Sequence, residues 1–341
     1  MKKFLSLMLA SLMMMSVLAG CGGSDESAAE GEGTQTEGEV PAESQVAKEL
    51  KFTTGGVSGT YYAFGTVLAG QVNKVTDSNV TAIEGKGSQG NVELMDMEGA
   101  QLGFVQSDVM SYAYEGTNLF AETGKVDSFS TVAALYQEQV QIVTCDPTIK
   151  TVADLRGKNV SVGTAGSGVY YNAVDVLGAY DMDIEKDIKP QYLGFGESAE
   201  SLKDGKIDAA FVVAGAPTVA ITDLSTSKDT YLVSLDDEHI DALIAESPYY
   251  QKTVIPADAY NMDTDTTTVA VTAVVIARDD VSDADVFNFC SAIFENLDDV
   301  AASHAKGAEL SLDTATSITS VPYHPGAAEF FSMQGYDVPT K

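Results

Sequence analysis

The chain has 341 residues, with 50 Asp and Glu against 19 Lys and Arg, and a formal charge of −31. So acidic a surface is a poor partner for nucleic acid or an anionic membrane face, which carry the same sign of charge. Three cysteines and three histidines, none forming a close pair, make neither a disulfide framework nor a metal site, and no cofactor motif is present.

Lys2 and Lys3 open the chain, residues 4–18 form an apolar run, and Leu18-Ala19-Gly20 leads into Cys21. A basic start, a short apolar core and small residues before a cleavage point make a secretory signal, and no stop-transfer pattern follows. The small residues before Cys21 are similar to a bacterial lipobox. Residues 1–20 are therefore expected to be a lipoprotein signal peptide and Cys21 to carry acyl chains, two or more of which anchor stably where one is marginal. Residues 22–49 are rich in Gly, Ser, Thr and Glu and hold no aromatic residue, so they cannot bury enough surface to fold. Together with Cys21 they predict a lipidated, flexible acidic linker, spanning roughly 30 Å as a coil. The expected location is extracytoplasmic, tethered to the outer face of the cytoplasmic membrane or in the periplasm.

From residue 50 onward short apolar runs alternate with helical patterns, which indicates an α/β architecture. Residues 50–54 read as a strand, and Tyr61, Phe64, Leu68 and Val72 fall on one face of a helix beginning near Gly59 or Thr60. Between them lies Gly55-Gly56-Val57-Ser58-Gly59-Thr60. Residues 80–83 form a strand, 85–91 a joint and 92–98 a short helix. Residues 102–105 form a strand that leads through Gln106-Ser107-Asp108 into a helix over 109–114. Residues 160–162 feed Gly163-Thr164-Ala165-Gly166-Ser167-Gly168 and a helix through Tyr171, Val174 and Leu177. Tyr192 and Leu193 read as a strand before Gly194-Phe195-Gly196-Glu197-Ser198 and a helix ending near Gly205. Residues 209–213 feed Ala214-Gly215-Ala216-Pro217, with Pro217 suited to a helix's first turn.

At each of these six joints a strand ends and a helix begins. Free backbone N–H groups, helix dipoles and small polar side chains are presented at the carboxyl edge of a sheet, where open α/β sheets bind ligands. Helix starts favour a carboxylate or another small anion. The glycines of 163–168 are no phosphate loop, because Val169 and Tyr170 follow where Lys and Ser or Thr are required. A strand over 140–144 and the apolar run 269–277 are expected to cross between two lobes: lobe I from 50–143, lobe II from 144–272, and 273–341 returning to lobe I with a C-terminal segment. Two crossings permit a hinge.

The ordered set Gly55-Gly56-Val57-Ser58-Gly59-Thr60-Tyr61-Tyr62, Phe104-Val105-Gln106-Ser107-Asp108, Val152-Ala153-Asp154-Leu155-Arg156-Gly157-Lys158, Phe195-Gly196-Glu197-Ser198-Ala199-Glu200, Val212-Val213-Ala214-Gly215-Ala216-Pro217 and Val321-Pro322-Tyr323-His324-Pro325-Gly326-Ala327 resembles the TAXI class of solute-binding proteins of TRAP (tripartite ATP-independent periplasmic) transporters. Each motif alone is weak; in order, behind a lipobox and over all of 50–341, they are specific. The resemblance implies a two-lobed periplasmic-binding-protein (type II) fold hinged between its lobes. It also implies capture of glutamate or a related amino acid or carboxylate, and delivery to an integral membrane TRAP subunit driven by an ion gradient.

Other TRAP receptor classes hold a carboxylate with a bidentate arginine. This chain has two arginines, Arg156 and Arg278, and neither lies at a joint. The carboxylate is then expected on backbone N–H groups and on the side chains of Ser58, Thr60, Ser88, Asn91, Ser107 and Ser167. Gln106 is expected to face the solute and Tyr61 or Tyr62 to close the apolar side. Gly56, Gly166, Phe195, Ala214 and Gly215 complete the candidate contacts at the joints. Glu197 and Asp108 read as helix caps, and His324 as a hydrogen-bonding turn residue. A receptor reporting to a membrane sensor is an alternative. An enzyme is a weaker one, since no GxSxG elbow, HExxH or paired-carboxylate pattern is present.

Overall fold

The computed structural model describes residues 49–341; the expected signal peptide, Cys21 and the expected linker as far as residue 48 lie outside the described residues. In chain order the elements are β1 (Leu50–Thr53), α1 (Thr60–Val75), β2 (Val80–Ile83), α2 (Ser88–Asp96), β3 (Leu102–Gln106), α3 (Ser107–Glu115), β4 (Phe129–Thr144), β5 (Asn159–Ser161), α4 (Gly168–Ala179), β6 (Lys189–Gln191), α5 (Phe195–Lys203), β7 (Ala209–Ala214), α6 (Val219–Ser225), β8 (Tyr231–Leu232), α7 (Asp237–Glu246), β9 (Gln251–Ile255), β10 (Thr266–Arg278), α8 (Asp283–Phe294), α9 (Leu297–Ser303), α10 (Leu312–Ala315) and α11 (Pro325–Met333), with short 3-10 turns between some of them.

The strands order as β2-β1-β3-β10-β4-β7-β5-β6, with β8 on β4 and β9 on β10. β1 runs parallel to β2 and β3, and β5 runs parallel to β6 and β7. Between these parallel ends the long β10 and β4 pair antiparallel with each other, β10 with β3 and β4 with β7. The arrangement is thus α/β with a mixed sheet.

Both long strands change cores along their length. Residues Phe129 to Tyr136 of β4 and Ala273 to Ala277 of β10 pack with Phe52, Phe64, Phe104 and Phe289, whereas Val140, Ile142, Val269 and Val271 pack with Val160, Val176 and Phe211. On β7 the strand period of two divides the chain between two faces. Ala209, Phe211 and Val213 enter that second core, and Ala210, Val212 and Ala214 enter a third with Ile221 and Leu224.

Several boundaries differ from the sequence reading. β4 begins at Phe129 rather than near 140, because Gln137, Glu138, Gln139 and Gln141 interrupt its apolar pattern while staying in the ladder. Their polar groups are bonded inside: Gln141 Nε2 donates to Ala214 O and to Thr218 Oγ1. β6 precedes Tyr192 and Leu193, since its pairing with β5 ends at Gln191. α2 begins at Ser88, a turn earlier than residue 92. Pro217 stands ahead of α6 instead of in its first turn: the Thr218 N–H donates to the Tyr260 hydroxyl at 2.8 Å, and Thr218 becomes the residue before the helix. Cys145 and Cys290 are free thiols.

Candidate functional site

All six strand-to-helix joints contribute to one cavity of about 550 Å³. Gly55 to Tyr61 and Gly85 to Ser88 form one side, with Gln106 beside them. Thr164, Ser167, Gly168 and Gly194 to Glu197 form the other, with Val213, Ala214 and Glu138 between. The starts of α1, α2, α4 and α5 therefore meet there. The residues preceding α1, α2 and α4, namely Gly59, Gly87 and Ser167, make no side-chain bond to the helix start. Their first-turn N–H groups, apart from that of Gly90, which donates to Gly166 O, keep the capacity to bind an anion. At α5 the Glu197 carboxylate, in the first turn, accepts at 3.1 Å from the N–H of Gly194, the residue before the helix, which is the capping role expected for Glu197.

Local chemistry explains the close approach of these joints. Gly87 has φ +92°, a left-handed conformation that glycine adopts without strain. At Gly168 a Cβ would lie 1.7 Å from Gln106 Oε1 and 3.1 Å from Val109 Cγ2, so glycine lets α4 begin against the β3–α3 joint with the Gln106 side chain in place. Hydrogen bonds bridge the joints: Thr60 Oγ1 to Gly215 O at 2.9 Å, Ala220 N–H to Ser58 O at 3.2 Å, Gly90 N–H to Gly166 O at 3.0 Å and Gln106 Nε2 to Asn172 Oδ1 at 3.0 Å.

Nine expected contacts line the cavity: Gly56, Ser58, Thr60, Tyr61, Ser88, Gln106, Ser167, Phe195 and Ala214. Four stand behind it. Asn91 is fully buried and ties three elements together, accepting from Thr53 Oγ1 at 2.9 Å and donating to the Thr54 and Phe104 carbonyls. Ser107 Oγ accepts from the Thr272 N–H, fixing α3 to β10. Gly166 and Gly215 offer their carbonyls to Gly90 and Thr60 and so hold the joints together rather than face inward. Of the two tyrosines, Tyr61 faces the cavity and Tyr62 does not. Asp108 lies in the first turn of α3 and accepts from Asn172 Nδ2 at 3.1 Å, and burial pushes it up to about 7. His324 caps α11, its Nδ1 accepting from the Gly326 N–H.

Sequence reading missed Glu138. It reaches the cavity from β4 and is 2 % exposed, and its Oε2 accepts from the Tyr61 hydroxyl at 2.8 Å. The Tyr61 ring is clamped on Phe104, centroids 4.5 Å apart and 9° from parallel, a contact contributing about 1 kcal/mol beyond its area. Burial pushes Glu138 up to about 8, with the Tyr61 bond opposing. Its signal was present: a run of Gln137, Glu138, Gln139 and Gln141 inside an apolar strand. Among the described residues no group of three or more His, Cys, Asp or Glu side chains is placed to hold a metal. No described helix is long and apolar enough to cross a membrane.

A mixed sheet with parallel ends, joined by long antiparallel strands and carrying a cavity at its helix starts, has the fold of the periplasmic binding proteins. The ligand-binding component of an ABC-type import system from Staphylococcus aureus superposes with a TM-score of 0.50 at 10% identity, over 86% of this chain and 94% of that one. The aliphatic sulphonate binding protein SsuA from Escherichia coli is looser, with a TM-score of 0.45 at 15% identity over 84% and 90%. At these identities the likeness is one of fold. Residues 52–335 match the NMT1-like family, and the chain belongs to it.

Proposed function

We propose that this protein is an extracytoplasmic solute receptor of the TAXI type, which captures a small amino acid or carboxylate and delivers it to a TRAP membrane subunit without chemistry of its own. The observation that carries this reading is the convergence of six joints and four helix starts on one cavity. The membership of the NMT1-like family and the fold of an import-system ligand-binding component support it. In this reading residues 50–143 with 273–341 form one lobe and 144–272 the other, β4 and β10 carry the hinge, and Cys21 is the lipid anchor.

The solute's carboxylate is received by the open first-turn N–H groups of α1, α2 and α4, that of Gly90 excepted, and by the hydroxyls of Ser58, Ser88 and Ser167. Micromolar affinity requires about 8 kcal/mol net, within reach of several hydrogen bonds in a closed cavity. The test is calorimetric titration of the purified protein, unfolded and refolded to strip bound solute, against glutamate, glutamine, 2-oxoglutarate and other small acids and amino acids. Saturable micromolar binding of at least one is expected, weakened about tenfold by Ser58→Ala with the melting temperature unchanged. No binding across the panel overturns the reading.

A further inference from the structure

Among the cavity residues Glu138 is the one buried carboxyl; Glu84, Lys86 and Glu197 are exposed at the rim. Its Oε2 accepts from the Tyr61 hydroxyl and the Gln106 side chain also hydrogen-bonds to it, but among the described residues it forms no ion pair. The buried cation that acts on it, Lys306, is paired with Glu309 and lies over the Tyr136 ring at 5.7 Å. A buried carboxyl with no ion-pair partner is costly to ionise, and an incoming cation offsets that cost. The helix starts, by contrast, supply positive potential to the same cavity. The cavity is thus divided by charge, with a place for an anion at the helix starts and a place for a cation at β4.

We infer that Glu138 is the counter-charge for a protonated amine of the bound solute, so that the cavity takes ammonium-bearing acids and discriminates against their deaminated counterparts. The inference rests on the receptor reading above and narrows its solute class. Tyr61 orients the carboxylate by holding Oε2, and the stack on Phe104 fixes Tyr61 in turn.

A pH dependence follows. The titratable and charged groups acting on Glu138 are Tyr61 from α1, Asp108 from α3, Tyr136 from its own strand, and Lys306, with Glu309 beside it, from the turn after α9. Burial keeps both tyrosines neutral. Because burial raises Glu138 to about 8, the unliganded site is largely protonated at neutral pH. An ammonium group favours the ionised form, so docking releases a proton. Affinity then strengthens as pH rises toward 8, by up to about tenfold per pH unit below that.

The experiment pairs each amine with its deaminated acid in calorimetric titrations of the refolded protein between pH 6 and pH 8: L-glutamate with glutarate, L-leucine with 4-methylpentanoate, 4-aminobutyrate with butyrate. In at least one pair the amine is expected to bind about tenfold or more tightly than its partner, and more tightly at pH 8 than at pH 6. Glu138→Gln, an isosteric change whose folding is checked by its melting curve, is expected to close the gap and remove the slope; Tyr61→Phe is expected to narrow the gap. Equal or tighter binding of the deaminated acid overturns the inference while the receptor reading stands. So does a gap or slope that survives in Glu138→Gln, which would assign the slope to Asp108. No binding by any member overturns the inference, and overturns the receptor reading as well when the wider panel is also silent.

Discussion

Glu138 and Asp108 are carboxyls placed where water does not solvate their charge, and burial raises them to about 8 and about 7. A carboxyl whose folded value is raised binds its proton more tightly in the folded chain than in the unfolded one. Each therefore contributes stability that is whole below about pH 4 and lost as pH climbs through its folded value. The depressed surface carboxylates Asp146, Asp154 and Asp236 act at lower pH, whereas His304 and His324, lowered by burial, act in the opposite sense below their ordinary range. The double variant Glu138→Gln, Asp108→Asn separates these effects. Its melting temperature relative to the parent is expected to rise between pH 5 and pH 8 in the absence of solute, as differential scanning calorimetry would record. A flat difference would mean that neither carboxyl is protonated more readily in the folded state. Residue types at the joints were legible in the sequence, but their directions were not: Ser58 and Asn91 read alike there, and only packing turned Asn91 onto the backbone of β1 and β3.

At the scale of elements, α4 begins against β3 with Gln106 between them, and the missing Cβ of Gly168 leaves room for that side chain. Alanine is intrinsically better than glycine inside a helix by about 1 kcal/mol, so Gly168→Ala has no local reason to unfold the chain. Its methyl group would displace Gln106 and break the bond from Gln106 to Asn172. The expected result is a fold retained by circular dichroism with solute affinity lowered about tenfold or more; unchanged affinity would show that the approach of α4 to β3 does not shape the cavity. The joints could be found in the sequence because the hydrophobic period changes across a cluster of Gly, Ser and Thr, a local signal. The start of β4 could not. Its polar residues are satisfied by Tyr61, Ala214 and Thr218, partners distant in the chain that no local pattern announces.

For the whole molecule, the cavity depends on how the two sets of joints face each other. A Cβ built on Gly196 lies 3.7 Å from the Ser58 Cβ, within the spacing that a disulfide requires. Ser58→Cys with Gly196→Cys is expected to oxidise and to pin α1's start to α5's, trapping whatever solute is present. Exchange of labelled solute should slow about tenfold or more and recover on reduction. Exchange at the reduced rate after oxidation would argue against a hinge that opens this cavity. The α/β alternation, the six joints and the candidate signal and anchor could be read along the chain, because periodicity, turn residues and leader composition are local properties. Which hydroxyls face the cavity, that Asn91 and Ser107 stand behind it, and that Glu138 lies in it follow only from how the elements pack. Those outcomes depend on strands β4 and β10 crossing the sheet centre and on contacts between residues far apart in the chain.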